Sequence, residues 1–496
     1  MPQRPPALVL GGWRWAQRRS RAHWIVGAAG VAAFGGYVLW QAASGPPRTW
    51  NDTAEYWTVA DRPLFSAAFW VGPRPPLVPL VLKLSGSNAC FVAVQTLVFV
   101  AAWTALAVTV AGLPRRRSAR FLAGALVLAF ATTQPMMQWN RSVLSESFAL
   151  SSLAMCFGSI LLWARRRTPP RGAAVLVAVA WFVAVRDTDI WIAACLAVVL
   201  GAALVAGALR HHPMSGWRAD AVVVVAVALL TALALGGAIA SRREIRNIRQ
   251  ALSIRIFPYP ERVRWFGDHG MPQIDRIRRL ARHPARGDRD VPVVWIDTTD
   301  PTLARLAAWL DRDAPRAYAE WLILHPGFVL HEPFVRPERT AYNADGRLGY
   351  YAAADRSDIP LVTGLFYPPG VLVVAAAMAV LVVGTHGGRW RRRDWRLVSV
   401  AGALGVVHML IAWHGDGLEV TRHALIGNSQ ARLGVLILFA MLLGPSRARP
   451  RHRDNRVPQH RVVAPTPTAA PRVGSSPDAA RRPRETHDVT GRTAFR

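Results

Sequence analysis

The apolar positions of this chain fall into long unbroken runs, separated by short polar or basic stretches. Ten runs read as bilayer-crossing helices, at about 24–43, 88–112, 120–134, 143–164, 172–186, 189–209, 220–240, 361–384, 396–414 and 424–444. A spanning helix needs about 20 apolar residues for a ~30 Å hydrocarbon core. The third and fifth runs are short of that; such spans extend into their flanks, bend, or line a cavity. The pattern predicts an all-α polytopic membrane protein with about ten transmembrane helices. Basic residues precede the first run and Ala42-Ala43-Ser44 follows it, as in a signal peptide. Its apolar stretch exceeds the roughly 7–15 residues of such a signal, so a retained anchor is expected. No internal repeat is evident, which counts against transporters built from inverted repeats.

Arginine orients the runs. Arg14, Arg18, Arg19 and Arg21 precede the first; Arg115, Arg116, Arg117 and Arg120 follow the second. Arg165, Arg166, Arg167 and Arg171 follow the fourth, and Arg389, Arg391, Arg392, Arg393 and Arg396 follow the eighth. These loops alternate, and the positive-inside rule puts all of them, with both termini, in the cytoplasm of a plasma-membrane protein. The expected organisation is a basic cytoplasmic N-terminus (1–23), a transmembrane module (24–240) with a first outer loop at 44–87, and an extracytoplasmic, α-rich domain (241–360). C-terminal transmembrane helices (361–444) and a basic tail (445–496) complete it. The tail lacks apolar periodicity and is expected to be disordered. Its charge suits anionic lipid headgroups, or it is a solvated tail that fixes topology.

Composition agrees with a membrane protein. Of 496 residues, 52% are hydrophobic and 18% charged, against about 25% charged in a soluble domain. Lys and Arg total 60 against 30 Asp and Glu, a net charge of +30. The arginines are divided between two sides of a membrane, which speaks against nucleic acid as a partner. Lys83 is the single lysine, in Leu82-Lys83-Leu84, so no P-loop is present. Cys90, Cys156 and Cys195 are scattered through apolar runs and make no disulfide framework or metal knuckle. The histidines form no zinc-binding pattern.

Ionisable residues in or beside spans are functional candidates by default. Here they gather on the outer side: Asp52, Glu55 and Asp61 after span one, Glu146 near the head of span four, Arg186, Asp187 and Asp189 after span five, and Asp416, Glu419, Arg422 and His423 between spans nine and ten. Asp52 and Glu55 lie three apart and share a helix face. Paired carboxylates supply a general base or share a divalent metal. The competing reading is that Asp52 caps a helix at 53–60 and Glu55 completes a capping box. Glu419, Arg422 and His423 fall at i, i+3 and i+4, as an oriented pair of bases or as a local ion-pair knot. Arg74, Arg186 and Arg422 are outer-level candidates for a phosphate, because the guanidinium fork donates two hydrogen bonds; each also has an acid to pair with. Arg432, deep in the last span, either snorkels outward or faces a cavity. Trp50, Trp57 and Trp70 stand beside the acids, to stack on a sugar or to belong to the interfacial belt. Asn51-Asp52-Thr53 and Asn140-Arg141-Ser142 are sequons expected to be accidental.

Asp52, Glu55-Tyr56 and Arg74-Pro75-Pro76-Leu77 in the first outer loop resemble the GT-C superfamily of multi-span glycosyltransferases, and more closely the actinobacterial protein-mannosyltransferase-like group. Leu144-Ser145-Glu146-Ser147, Arg186-Asp187-Thr188, Trp265-Phe266 with Gly270-Met271-Pro272, Trp321 to His325-Pro326, and Glu419 to Arg422-His423 follow in the same order. The resemblance runs over about 50–440. It implies a GT-C-like fold with an active site open to the outer face, and inverting transfer of a sugar from a polyprenyl-phosphate donor to a glycan, lipid or protein acceptor of the envelope. Asp52 matches the first-loop acid, as base or acceptor-orienting group. The chain has Asp-x-x-Glu where the superfamily commonly has adjacent acids, which leaves open the role of Glu55 and of a divalent metal, Mg or Mn. Arg74, Glu146, Arg186, Asp187, Glu419, Arg422 and His423 are the expected donor-binding residues. Two other classes stay in view: a transporter or flippase of lipid-linked glycans, and a non-catalytic scaffold of envelope assembly.

Overall fold

A computed structural model of the protein describes residues 7–209, 217–275, 277, 301–335, 360–368, 370–386, 388, 392–415 and 420–443. The tail from 444, including the whole basic segment 445–496, lies outside them. Among the described residues, seven helices are long and apolar enough to cross a membrane. They are Ile25–Ala43 within α1 (Ala7–Ala43), α5 (Asn88–Ala111), α8 (Glu146–Arg165), Asp187–Ala206 within α10 (Asp187–Leu209), α11 (Trp217–Ala240), α19 (Arg393–Gly415) and α20 (Val420–Leu442). The three other expected spans are helical but shorter: α6 (Arg117–Ala131), α9 (Pro169–Val185) and α18 (Gly370–His386).

Between α1 and α5 come three short helices, α2 (Asn51–Ala60), α3 (Ala67–Trp70) and α4 (Leu77–Ser85). Pro75 and Pro76 hold the chain in a turn before α4. Between α6 and α8 lies the single turn α7 (Gln134–Met137). After α11 come α12 (Arg243–Arg255), α13 (Pro260–Asp268), α14 (Ala304–Arg312), α15 (Ala314–Leu324) and α16 (Pro326–Val335). A last short helix, α17 (Pro360–Phe366), precedes α18.

Helices α5, α6, α8, α19 and α20 share a core. Phe99, Trp103, Phe130 and Phe148 are fully buried in it. Trp103 and Phe130 approach at 5.8 Å between centroids, within the range at which aromatic pairs add to burial. By contrast α11 turns Val222, Leu229 and Leu233 outward, as a helix facing lipid does. The α19–α20 pair is the tightest in the fold. Gly405 and Gly427 face each other there, and a Cβ on Gly427 would stand 2.7 Å from the Gly405 carbonyl oxygen.

The two ends of the bundle differ in chemistry. At the arginine-rich end, Asp220 accepts from Trp163 Nε1 at 3.1 Å and pairs with Arg167 at 2.8 Å and with Arg393. One carboxylate thereby ties the α8–α9 turn, α11 and α19 together. At the other end, α12–α16 form an α-rich layer around Leu252, Phe257, Phe266, Trp309 and Trp321. Trp413 and Val420 join that cluster, so the layer is seated on the end of α19 and the start of α20. Arg255 lies 3.8 Å from the Trp413 ring centroid, a cation–π contact across the seam.

Arg432 neither snorkels nor faces an opening. It is 7% exposed, donates to Asn428 Oδ1 at 2.5 Å and to the carbonyls of Phe366 and Pro368 at 3.0 and 3.3 Å, and lies over Tyr367. Those carbonyls follow the end of α17, where a helix leaves acceptors unsatisfied. A guanidinium has donors enough to close that turn.

Candidate functional site

The site is assembled from four separate parts of the chain, and backbone pairing aligns the first two. Arg48 N donates to Arg141 O at 2.8 Å and Val143 N donates to Arg48 O at 2.9 Å. This isolated parallel bridge clips the segment before α2 to the segment before α8. Thr53 Oγ1 adds a bond to Val143 O at 3.0 Å. The loop before α8 is itself held by Gln95, whose amide donates to Asn140 O and Ser142 O at 2.9 and 2.8 Å. Ser147 Oγ donates to Asn140 Oδ1 at 2.7 Å.

The start of α2 differs from the capping-box expectation. The N-cap is Trp50, two residues before Asp52, and Thr53 Oγ1 accepts its N–H at 2.9 Å, the part expected of a Glu55 oxygen. Asp52 and Glu55 are released for other partners. Arg74 Nη2 donates to Asp52 Oδ1 at 2.6 Å and Arg74 Nε to Glu55 Oε2 at 2.7 Å. Arg422 Nη1 and Nη2 both reach Asp52 Oδ2 at 3.1 Å. Arg422 Nε donates to Glu146 Oε1 at 2.6 Å, and Arg186 Nη1 reaches the same oxygen at 3.4 Å. Arg186 Nη2 lies 2.7 Å from His423 Nδ1. A guanidinium only donates, so Nδ1 is the acceptor there and the neutral ring carries its proton on Nε2. One continuous chain of contacts thus runs Glu55, Arg74, Asp52, Arg422, Glu146, Arg186, His423, with three carboxylates against three guanidinium groups.

Local structure explains who turns inward. Arg186 is the extended residue (φ −147°, ψ 146°) between α9 and α10, and this break directs its side chain into the bundle, where it is 6% exposed. Glu146 is the first residue of α8 and fully buried, rather than a turn inside the span. Arg422 and His423 occupy the first turn of α20, with Arg422 2% exposed. Glu419 lies outside the described residues. Asp187 stands apart from the chain of contacts and pairs with Arg243 at 3.0 Å.

Burial alone would raise the Asp52 pKa, but the charges of Arg74 and Arg422 and their hydrogen bonds outweigh it and hold the carboxyl below its ordinary 3.8. Burial pushes the Tyr56 phenol beneath Arg74 up. Because Asp52 is lowered on folding, its contribution to stability is complete above pH 3.8 and is lost as pH falls through the lower folded value. Acid unfolding followed by tryptophan fluorescence should therefore separate wild type from Asp52→Asn above pH 3.8 and bring the two together only below it. Curves that converge well above that pH contradict the clamp.

The carboxylates that would ligate a divalent metal, Asp52, Glu55 and Glu146, each face a guanidinium. Among the described residues no group of three or more His, Cys, Asp or Glu side chains is disposed to hold a metal. As arranged, the donor set does not fit Mg or Mn.

Two of the three tryptophans near the acids direct their indole N–H elsewhere: Trp57 Nε1 donates to Asn88 Oδ1 at 2.9 Å and Trp70 Nε1 to Leu64 O at 2.8 Å. Sequence reasoning missed Arg243, one of several arginines in the segment after α11 with no pattern to single it out. It also left out the partner of Asp189. That partner is His408 on α19, with Nε2 3.3 Å from Asp189 Oδ1. No family model, no curated protein and no solved structure matches the chain.

Proposed function

We propose that the chain is a GT-C-like membrane glycosyltransferase that moves a sugar from a polyprenyl-phosphate donor to an envelope acceptor at the α2 end of the bundle. The observation that carries this reading is an ionised Asp52 held between Arg74 and Arg422, beside Arg186. These arginines have the chemistry to hold a phosphate ester, exchanging a carboxylate partner for a phosphoryl oxygen. In the transfer, the bond from the sugar's anomeric carbon to the phosphate oxygen breaks and the bond to the acceptor oxygen forms. The acceptor hydroxyl's proton passes to Asp52, and the polyprenyl phosphate leaves with the added negative charge, which the guanidinium groups stabilise. Glu55 and Glu146 keep Arg74 and Arg422 aimed. No step is routed through a metal.

The test is sugar transfer in membrane vesicles supplied with labelled polyprenyl-phosphate sugars. Asp52→Asn at equal expression should lower the rate by about 10²–10⁴. Equal rates for the two proteins, or no transfer by wild type with any donor, would overturn the reading.

A further inference from the structure

Behind the arginine cluster stands a second polar group that the proposed transfer does not use. Asp189, in the first turn of α10, and His408, on α19, are both fully buried, with His408 Nε2 3.3 Å from Asp189 Oδ1. Gln430 on α20 fixes the ring. Its Nε2 is spent on Ala401 O at 2.7 Å, so its Oε1, 3.2 Å from His408 Nδ1, is an acceptor. His408 therefore carries a proton on Nδ1 and turns Nε2 to Asp189. A neutral ring presents a lone pair there, and Asp189 must supply the proton; a charged ring presents that proton itself. Either way one proton lies between the two groups.

Among the described residues no arginine pairs with Asp189, whereas Asp52, Glu55, Glu146 and Asp187 each pair with one. Its other help is the adjacent Thr188 hydroxyl and the charge of Arg186 at longer range. A buried carboxylate left charged and alone costs several kcal/mol. The groups facing the pair are Arg186 and Asp187 from the α9–α10 junction, Glu146 and Cys156 from α8, and His423 and Gln430 from α20. Arg171 of α9, and Arg218 and Asp220 of α11, lie at the opposite ends of those antiparallel helices. Arg186 is the shared element: its carbonyl accepts the Asp189 N–H at 3.2 Å while its guanidinium binds Glu146 and His423.

We infer that Asp189 and His408 form a buried proton-binding site whose single proton keeps Arg186 available to an anion in the neighbouring cluster. With the proton lost, the pair carries a net negative charge that competes for Arg186, and the cluster's affinity for an anion falls. One unit charge about 10 Å away in a partly buried setting changes that affinity about tenfold. The coupling rests on the reading that the cluster takes a phosphate ester; the proton site itself does not.

The experiment joins infrared spectroscopy and binding on the purified protein in detergent. The probe is methyl farnesyl phosphate, a phosphodiester whose one charge does not titrate near neutral pH. The expected result is a protonated-carboxyl or imidazolium band, shifted in D2O, that Asp189→Asn and His408→Gln both alter. Binding should weaken about tenfold over the pH interval in which the band disappears. Asp189→Asn, permanently neutral, should bind within about twofold of wild type at neutral pH and lose the alkaline weakening. Spectra that neither variant changes overturn the proton site. A band that persists to the highest pH at which the protein stays folded, or an affinity that ignores its loss, overturns the coupling. His408→Gln decides the spectral test if Asp189→Asn does not fold. A wild-type protein that binds no probe overturns the phosphate reading and the coupling with it, while the spectra judge the proton site separately.

Discussion

Arg422→Gln should destabilise the protein by about 3–5 kcal/mol, the cost of breaking a buried ion pair by removing one partner. The size follows from position. Arg422 is 2% exposed and is the only cation that joins Asp52 to Glu146 among the described residues. Removing it leaves Glu146, which is fully buried, with the longer 3.4 Å contact from Arg186. Arg422→Lys should not rescue, because a point charge on a flexible stem cannot donate in two directions as the planar fork does. Glu55→Gln is the contrast. Glu55 is 35% exposed, and its pair with Arg74 is worth at most about 1 kcal/mol. Thermal unfolding in detergent measures all three. An Arg422→Gln protein as stable as wild type would mean that the cluster does not hold the α2 segment to α8 and α20.

Gly427→Val should also be damaging, for a different reason. The atoms a Cβ would meet there are Gly405 O at 2.7 Å, Met409 N at 2.8 Å and His408 Cβ at 2.9 Å. Two of these are backbone, which cannot rotate away, so the helices must separate. Overpacking of this kind costs about 1–3 kcal/mol and occasionally more; the rigid neighbours put Gly427→Val at the upper end. The separation also moves α20 as a body, and Arg422 and His423 lie one turn before Gly427 on it. Gly36→Ala in α1, where nothing lies within 4 Å, should be neutral. The paired measurement is the yield of monodisperse protein and its unfolding temperature. A valine protein with wild-type values would show that α19 and α20 part without consequence.

The helices were legible in the sequence because a bilayer demands long apolar runs, and nothing else in a chain resembles them. The two spans read as short, α6 and α9, are short helices; α18 is shorter than its apolar run, which does not by itself say how far a helix extends. The convergence of Asp52, Glu146, Arg186 and Arg422 was legible for the same reason: charges at span ends are rare, and alternation of the arginine loops put them at one level. Their pairings were not. Spacing within one segment favoured a capping box at Asp52, whereas the cations it meets come from Arg74 and Arg422, far along the chain; the local knot with Glu419 falls outside the described residues. Arg432 was misread because a lone arginine in a span has no sequence mark for the carbonyls of Phe366 and Pro368. Asp189 was a candidate, but its pairing with His408 escaped because His408 is a single polar residue among apolar neighbours, and only the packing of α10 on α19 brings the two together.

The bond between Glu146 and Arg422 joins positions 276 residues apart. A ribosome adding roughly 5–20 residues per second delivers the second partner some tens of seconds after the first. Throughout that interval α8 is in the membrane with a carboxylate whose principal cation has not been made. The growing protein must leave this end of α8 open to water, or shielded by the insertion machinery, until the last helix arrives. Closure of the cluster is then a late event of biogenesis, and a chain that stops before α20 carries an exposed fault by which a quality-control protease can tell it from the finished one.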